Sequence, residues 1–189
     1  MEDIEDIMEQ KMYDLRQIWR KAYDIAKEFY DKETLIHAEN VEDRVSKMNP
    51  HWNKSYGYDY EPTDIDLFWS KAVIAALLHD IIEDTACTAD ILMERGIPKD
   101  IVSAVMTLTR PTEKHDYFDD YIVTISKNEL SRVVKIADLE HNMDIRRLEK
   151  FGDYEQKRLV KYWYSWKFLK REISETEAHN TLHPDQKYR

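Results

Sequence analysis

Ala72-Val73-Ile74-Ala75-Ala76-Leu77-Leu78-His79-Asp80, running on to Glu83-Asp84, is the stretch on which the reading of this chain turns. The apolar residues from Ala72 to Leu78 predict a core helix, and that helix ends on four ionisable side chains within six positions. Residues four apart share a helix face, so His79 is expected over Glu83 and Asp80 over Asp84. Charged groups beside a core-like run are costly unless something pairs with them. A divalent metal supplies such a pairing, taking an imidazole nitrogen and hard carboxylate oxygens.

Two further segments carry matching residues. His37 sits in Leu35-Ile36-His37-Ala38-Glu39-Asn40-Val41, and Asp138 sits in Val133-Val134-Lys135-Ile136-Ala137-Asp138-Leu139. Both segments read as partly buried helices, and helices of a bundle aim side chains at a common interior point. Singly, each residue reads as an ordinary helix-surface charge; as an ordered set, His37, His79, Asp80 and Asp138 predict a metal site. Two imidazoles and two carboxylates suit Mn²⁺, Fe²⁺, Co²⁺ or Zn²⁺.

Composition excludes several function classes. The chain has 189 residues, one domain by the usual size prior. Gly57, Gly96 and Gly152 are its only glycines, so neither a P-loop nor a dinucleotide fingerprint is present. Cys87 stands alone, which rules out an internal disulfide and predicts a reducing compartment. The acidic start, Met1 to Asp6, is unlike a secretory signal, and no apolar run approaches the about 20 residues of a membrane span. A cytoplasmic protein without a membrane partner is the expectation. A formal charge of −10 argues against nucleic acid as partner, though not against a phosphorylated small molecule held by local cations.

The periodicity predicts an all-α protein. Ile4, Ile7, Met8, Met12, Leu15, Ile18, Trp19, Ala22, Ile25, Ala26 and Phe29 recur at three- and four-residue steps, giving one long helix or two in series. A second helix is expected over 34–48, and the aromatic stretch 50–62 reads as a loop between two prolines. A helix then starts near Thr63 or Asp64. Thr88 caps a short helix that Gly96 closes, and Pro98 opens the next. Helices follow over 117–126, 129–150 and 153–173, with a polar tail over 179–189. The domain itself is expected over 1–178. His51, His115, His179 and His183 read as surface residues, His141 as a core group or one supporting a ligand, and Cys87 as inert.

The order His, His-Asp, Asp, with Glu-Asp after the middle pair, resembles the HD phosphohydrolase superfamily, whose fold is a helical bundle. Ala76-Leu77-Leu78-His79-Asp80 with Glu83-Asp84-Thr85, Leu108-Thr109-Arg110, and Lys135-Ile136-Ala137-Asp138 with His141-Asn142-Met143 is similar to the hydrolase domain of RelA/SpoT-type alarmone enzymes. The likeness runs from about residue 35 to 166. It implies Mn²⁺ on His37, His79, Asp80 and Asp138, and a catalytic role for Glu83 and Asp84 in positioning or deprotonating the attacking water. It implies that Asn142 touches a nucleotide, with Lys135 on the same helix face, and that Arg158 and Tyr162 hold substrate. Core packing is the alternative for Tyr162, and a surface position for Lys135.

The implied reaction is removal of the 3′-pyrophosphate from guanosine tetra- or pentaphosphate in the stringent response. With no room for a synthetase domain, hydrolysis alone is expected. Relatives carry a basic, Gly- and Pro-containing turn before the first metal His; here residues 29–38 hold neither Gly nor Pro, and Lys27 and Lys32 are imperfect stand-ins. The loop 50–62 lengthens the His37-to-His79 spacing, and could stack on a base or serve as a partner surface. Another nucleotide or phosphorylated metabolite therefore remains an alternative substrate, and a nucleotide-sensing module without turnover remains an alternative class. A homo-oligomer packed through Trp163 and Trp166 stands beside core packing of the same rings.

Overall fold

The computed structural model describes residues 4–51, 62–111 and 115–185, with only the backbone of Ile4 and Glu5. Its elements are α1 Ile4–Phe29, α2 Lys32–Met48, α3 Asp64–Leu77, α4 Ile81–Asp84, α5 Ala89–Glu94, α6 Lys99–Leu108, a π-helix Tyr117–Ile122 continuing into α7 Val123–Ile125, α8 Glu129–Asn142, a 3₁₀ turn Ile145–Arg147, α9 Asp153–Leu169 and α10 Glu175–Leu182. There is no strand among the described residues, and the fold is all-α. The aromatic stretch 50–62 lies mostly outside the described residues, and so do the roles weighed for it.

The apolar run from Ala72 to Leu78 is buried throughout, and α3 is the axis of the molecule. It packs against α1, α2, α6 and α8, while α8 also touches α2, α6 and α9. Helix starts follow capping chemistry. Asp31 accepts from the Thr34 amide at 2.8 Å, Asn128 from Ser131 at 3.0 Å, and the Thr88 hydroxyl from Ile91 at 3.3 Å. At the start of α3 the fully buried Asp66 accepts from the Thr63 amide at 2.8 Å and its hydroxyl at 2.6 Å.

Helix ends depart more from expectation. The helix carrying Asp138 stops at Asn142, short of residue 150, because Asp144 turns its carboxylate onto the Arg146 amide at 3.1 Å and starts a 3₁₀ turn. The helix expected over 153–173 stops at Leu169. Arg171 there takes φ 62°, and the Glu172 amide reaches back to the Lys167 carbonyl at 2.9 Å, closing a Schellman turn without glycine. The polar tail is corrected for the same reason. The reversal at Arg171 leads into α10, capped by Ser174, so the boundary at 178/179 falls inside a helix that buries Ala178 and His179.

Candidate metal centre

The first feature of the site is a break in a helix. The imidazole of His79 donates through Nδ1 to the Ala76 carbonyl at 2.7 Å, occupying an acceptor that a continuing helix would use. The chain makes a turn over residues 78–80 before α4 begins at Ile81. The expected continuous face, with His79 over Glu83 and Asp80 over Asp84, is therefore corrected: His79 and Asp80 lie on the turn, and Glu83 and Asp84 on the short helix beyond it. The Nδ1 contact also fixes the ring orientation and turns Nε2 of His79 toward the interior.

Helix α2 buries Ala38, Val41 and Val45 against α3, and this brings His37 alongside the turn. On α8, Val133, Val134, Ile136, Ala137 and Leu139 are buried, so Asp138 follows them inward and is itself buried. His37 Nε2 lies 3.2 Å from His79 Nε2, 3.5 Å from Asp80 Oδ2 and 3.3 Å from Asp138 Oδ1. His79 Nε2 lies 3.0 Å from Asp80 Oδ2 and 3.9 Å from Asp138 Oδ1. Donors placed about 2.1 Å from one ion are about 3.0–4.2 Å from each other. All five separations fall in that interval, and the two Nε2 atoms face each other across it. His37, His79 and Asp80 form a group able to hold a metal ion, and Asp138 lies beside it on α8, against both imidazoles.

The surroundings keep these donors ionised and oriented. Burial opposes charge on Asp80, but the His79 and His37 imidazoles outweigh it and hold the carboxyl well below its ordinary range. Asp138 is depressed likewise, by Lys135 and the two imidazoles against the effect of burial. Lys135 Nζ donates to Asp138 Oδ2 at 2.8 Å and Asn142 Nδ2 to Asp138 Oδ1 at 2.6 Å. Lys135 and Asn142, expected beside a nucleotide, thus each give a donor to the carboxylate of the centre. Burial lowers His37, but hydrogen bonding to Asp138 and Asp80 raises it to about 9, so a metal must displace a proton there. His141 is buried with its ring centroid 4.9 Å from that of His37, and burial with Arg147 and His37 holds it down to about 4.

Glu83 and Asp84 are exposed at the rim. Glu83 Oε2 accepts from the Arg110 amide at 2.9 Å, which ties α4 to the end of α6. Burial and the carboxylates of Asp80 and Glu83 raise Asp84. Arg158 on α9 lies 5.9 Å over the ring of Tyr162, which in turn has its centroid 6.0 Å from that of Tyr117.

These two residues belong to a larger cation–aromatic cluster that sequence reasoning left incomplete. Arg110 lies 5.5 Å over Tyr117 and 5.8 Å over Tyr121, Lys135 lies 5.2 Å over Tyr121, and Lys161 lies 4.2 Å over Tyr117. Lys161 was legible as one turn from Arg158 and Lys157, but Tyr117 and Tyr121 reach the site through a π-helix, whose period no α-helical template anticipates. Burial, then Arg110 and Arg158, lower Lys161, the mark of positive charge gathered without a full complement of anions. Five buried side-chain polar atoms among the described residues lack a hydrogen-bond partner, on Tyr30, Tyr117, His141, Arg158 and His183. Tyr117 and Arg158 belong to this cluster, and His141 packs edge-on against His37. Unsatisfied buried groups are rare in native proteins, and each calls for an explanation such as a catalytic role or a bound water or ion.

No family model matches the chain, and no curated protein sequence matches it either.

Proposed function

We propose that the protein is a metal-dependent phosphohydrolase of the alarmone-hydrolase kind, removing the 3′-pyrophosphate of guanosine tetra- or pentaphosphate. The observation that carries this reading is the meeting of His37, His79 and Asp80 within coordinating separations, with Asp138 against both imidazoles, beside a cluster of Arg110, Lys135, Arg158 and Lys161. The donor set fits a divalent ion, Mn²⁺ by resemblance, which when bound supplies Lewis acidity and a water of lowered pKa. Glu83, its carboxylate set by the Arg110 amide, orients the attacking water and takes its proton. Asp84, with its raised pKa, is suited to hold that proton and pass it on. Arg110, Arg158 and Lys161 offset the phosphate charge, and Tyr117 and Tyr162 offer ring faces to a base. The water oxygen bonds to phosphorus as the bond to the 3′-oxygen breaks; that oxygen takes the proton, and pyrophosphate leaves.

One observation favours a second substrate. Lys27, a stand-in for the basic turn of the relatives, lies 5.7 Å over the Tyr23 ring. Another nucleotide or phosphorylated metabolite then suits the same chemistry.

Purified protein with Mn²⁺ and guanosine tetraphosphate is expected to release pyrophosphate, and Glu83→Gln to lower turnover about 100-fold or more while keeping the metal. Orthophosphate from a nucleotide panel selects the second substrate class. Tight binding without turnover under every divalent metal overturns the enzyme in favour of a sensor.

A further inference from the structure

The N-terminal end of the π-helix and the last turn of α10 bring together Asp116, Asp119, His179 and His183, distant from one another in sequence. His179 Nδ1 is 2.8 Å from Asp119 Oδ1, and His183 Nε2 is 3.3 Å from Asp116 Oδ2. The two imidazole centroids are 4.9 Å apart and tilted by 47°. One donor atom from each of Asp119, His179 and His183 lies within 4.8 Å of the other two. A shared ion with donors about 2.1 Å away asks for separations of up to about 4.2 Å, so a small rotation of one ring completes the set.

The sequence spacing suits coordination: His179 and His183 are one helical turn apart, and Asp116 and Asp119 one turn apart on the facing element. Asp116 is already oriented, because its Oδ1 accepts the amides of Phe118 and Asp119, each at 2.8 Å. A simple ion pair accounts for His179 with Asp119. His183 is placed likewise against Asp116: its Nε2 is buried without a hydrogen bond and makes an ion-pair contact with Asp116 Oδ2 at 3.3 Å. A cleft of about 460 Å³ lined by Asp116, Tyr117, Lys157, Lys161 and His183 leaves a route for the ion from solvent.

We propose that Asp119, His179 and His183, with Asp116 as fourth donor, form a second metal site for a Zn²⁺-like ion that fastens α10 to the π-helix. Two imidazoles and two carboxylates supply the four donors of a tetrahedral Zn²⁺ shell. The site is independent of the proposed hydrolase chemistry, and its function is to join residues 60 or more positions apart in sequence. The π-helix also carries Tyr117, so the same ion steadies one wall of the cation–aromatic cluster.

Zinc binding to the metal-stripped full chain tests this, read by calorimetry and by metal content after gel filtration. Wild type is expected to take two equivalents, H179Q/H183Q one, and H37Q/D80N one. Saturating Zn²⁺ is expected to raise the melting midpoint of H37Q/D80N by about 5–10 °C, and the shift should vanish when H179Q/H183Q is added. If H179Q/H183Q keeps the wild-type stoichiometry, or H37Q/D80N takes no zinc, the second site is overturned and the His37-dependent equivalent still reports on the first centre. Should H179Q/H183Q fail to fold, D119N made in H37Q/D80N leaves both imidazoles in place. A loss of zinc affinity of about tenfold or more upholds the site, and an unchanged affinity overturns it.

Discussion

Lys135 shows what a single residue contributes to the centre. Its ammonium is buried against the Asp138 carboxylate, and the Asp138 and tyrosine neighbours outweigh burial to raise its pKa well above the ordinary value. Removing one member of such a pair leaves the other charge unmatched, at a cost of about 3–5 kcal/mol. Lys135→Met is therefore expected to destabilise the metal-free protein by about 3 kcal/mol, seen in urea unfolding, and Mn²⁺ should restore part of the loss by matching Asp138 instead. A variant as stable as wild type in chelator would refute the pairing. The meeting of His37, His79, Asp80 and Asp138 was legible, since a His or Asp inside an apolar helical run needs a reason to be there. The role of Lys135 was not legible. Spacing places Lys135, Asp138 and Asn142 on one face, but it cannot say whether the cation turns toward the carboxylate or toward a substrate.

Among the elements, starts were easier to read than ends. Asp31, Thr88 and Asn128 announce helices because their side chains satisfy amides only a few residues away. Ends depend on competition that local sequence conceals. His79 takes the Ala76 carbonyl, Asp144 takes an amide that would extend α8, and Arg171 adopts a left-handed conformation that a glycine would ordinarily mark. Gly96 is the case where the marker is present. It has φ +86°, and the Gly96 and Ile97 amides close a Schellman turn on the Met93 and Leu92 carbonyls, both at 3.0 Å. Gly96→Ala puts a Cβ into that conformation, 3.2 Å from Lys21 Nζ, whose flexible chain moves aside. The backbone term remains, so stability should fall by about 1–2 kcal/mol, measured by thermal or urea unfolding; an unchanged midpoint would contradict the turn.

At the scale of the whole molecule, the proposed metal centre sets protons against a cation at one interior point. His37 is raised from 6.5 to about 9 in the metal-free fold, and His79 is raised as well. A raised histidine contributes stability that is complete below its unfolded pKa and disappears as pH climbs through its folded one. In chelator the melting midpoint should therefore decline between pH 6.5 and about 9, whereas the extra stability conferred by Mn²⁺ should grow over the same interval as protons leave. A metal-free midpoint that rises across that window would contradict the arrangement of His37 between Asp80 and Asp138. The bundle itself was foreseeable from periodicity; the fastening of α10 was not, since the chain past Leu169 has too little apolar content to announce a helix. The Ala76 carbonyl has a wider consequence. Because it presets the His79 ring and Lys135 and Asn142 preset Asp138, selection among cations falls to the affinity order of nitrogen and oxygen donors, in which zinc and copper outrank manganese. The ion recovered with the protein should then mirror the trace-element supply of the growth medium, and activity of freshly isolated material should vary with that supply until the native ion is put back.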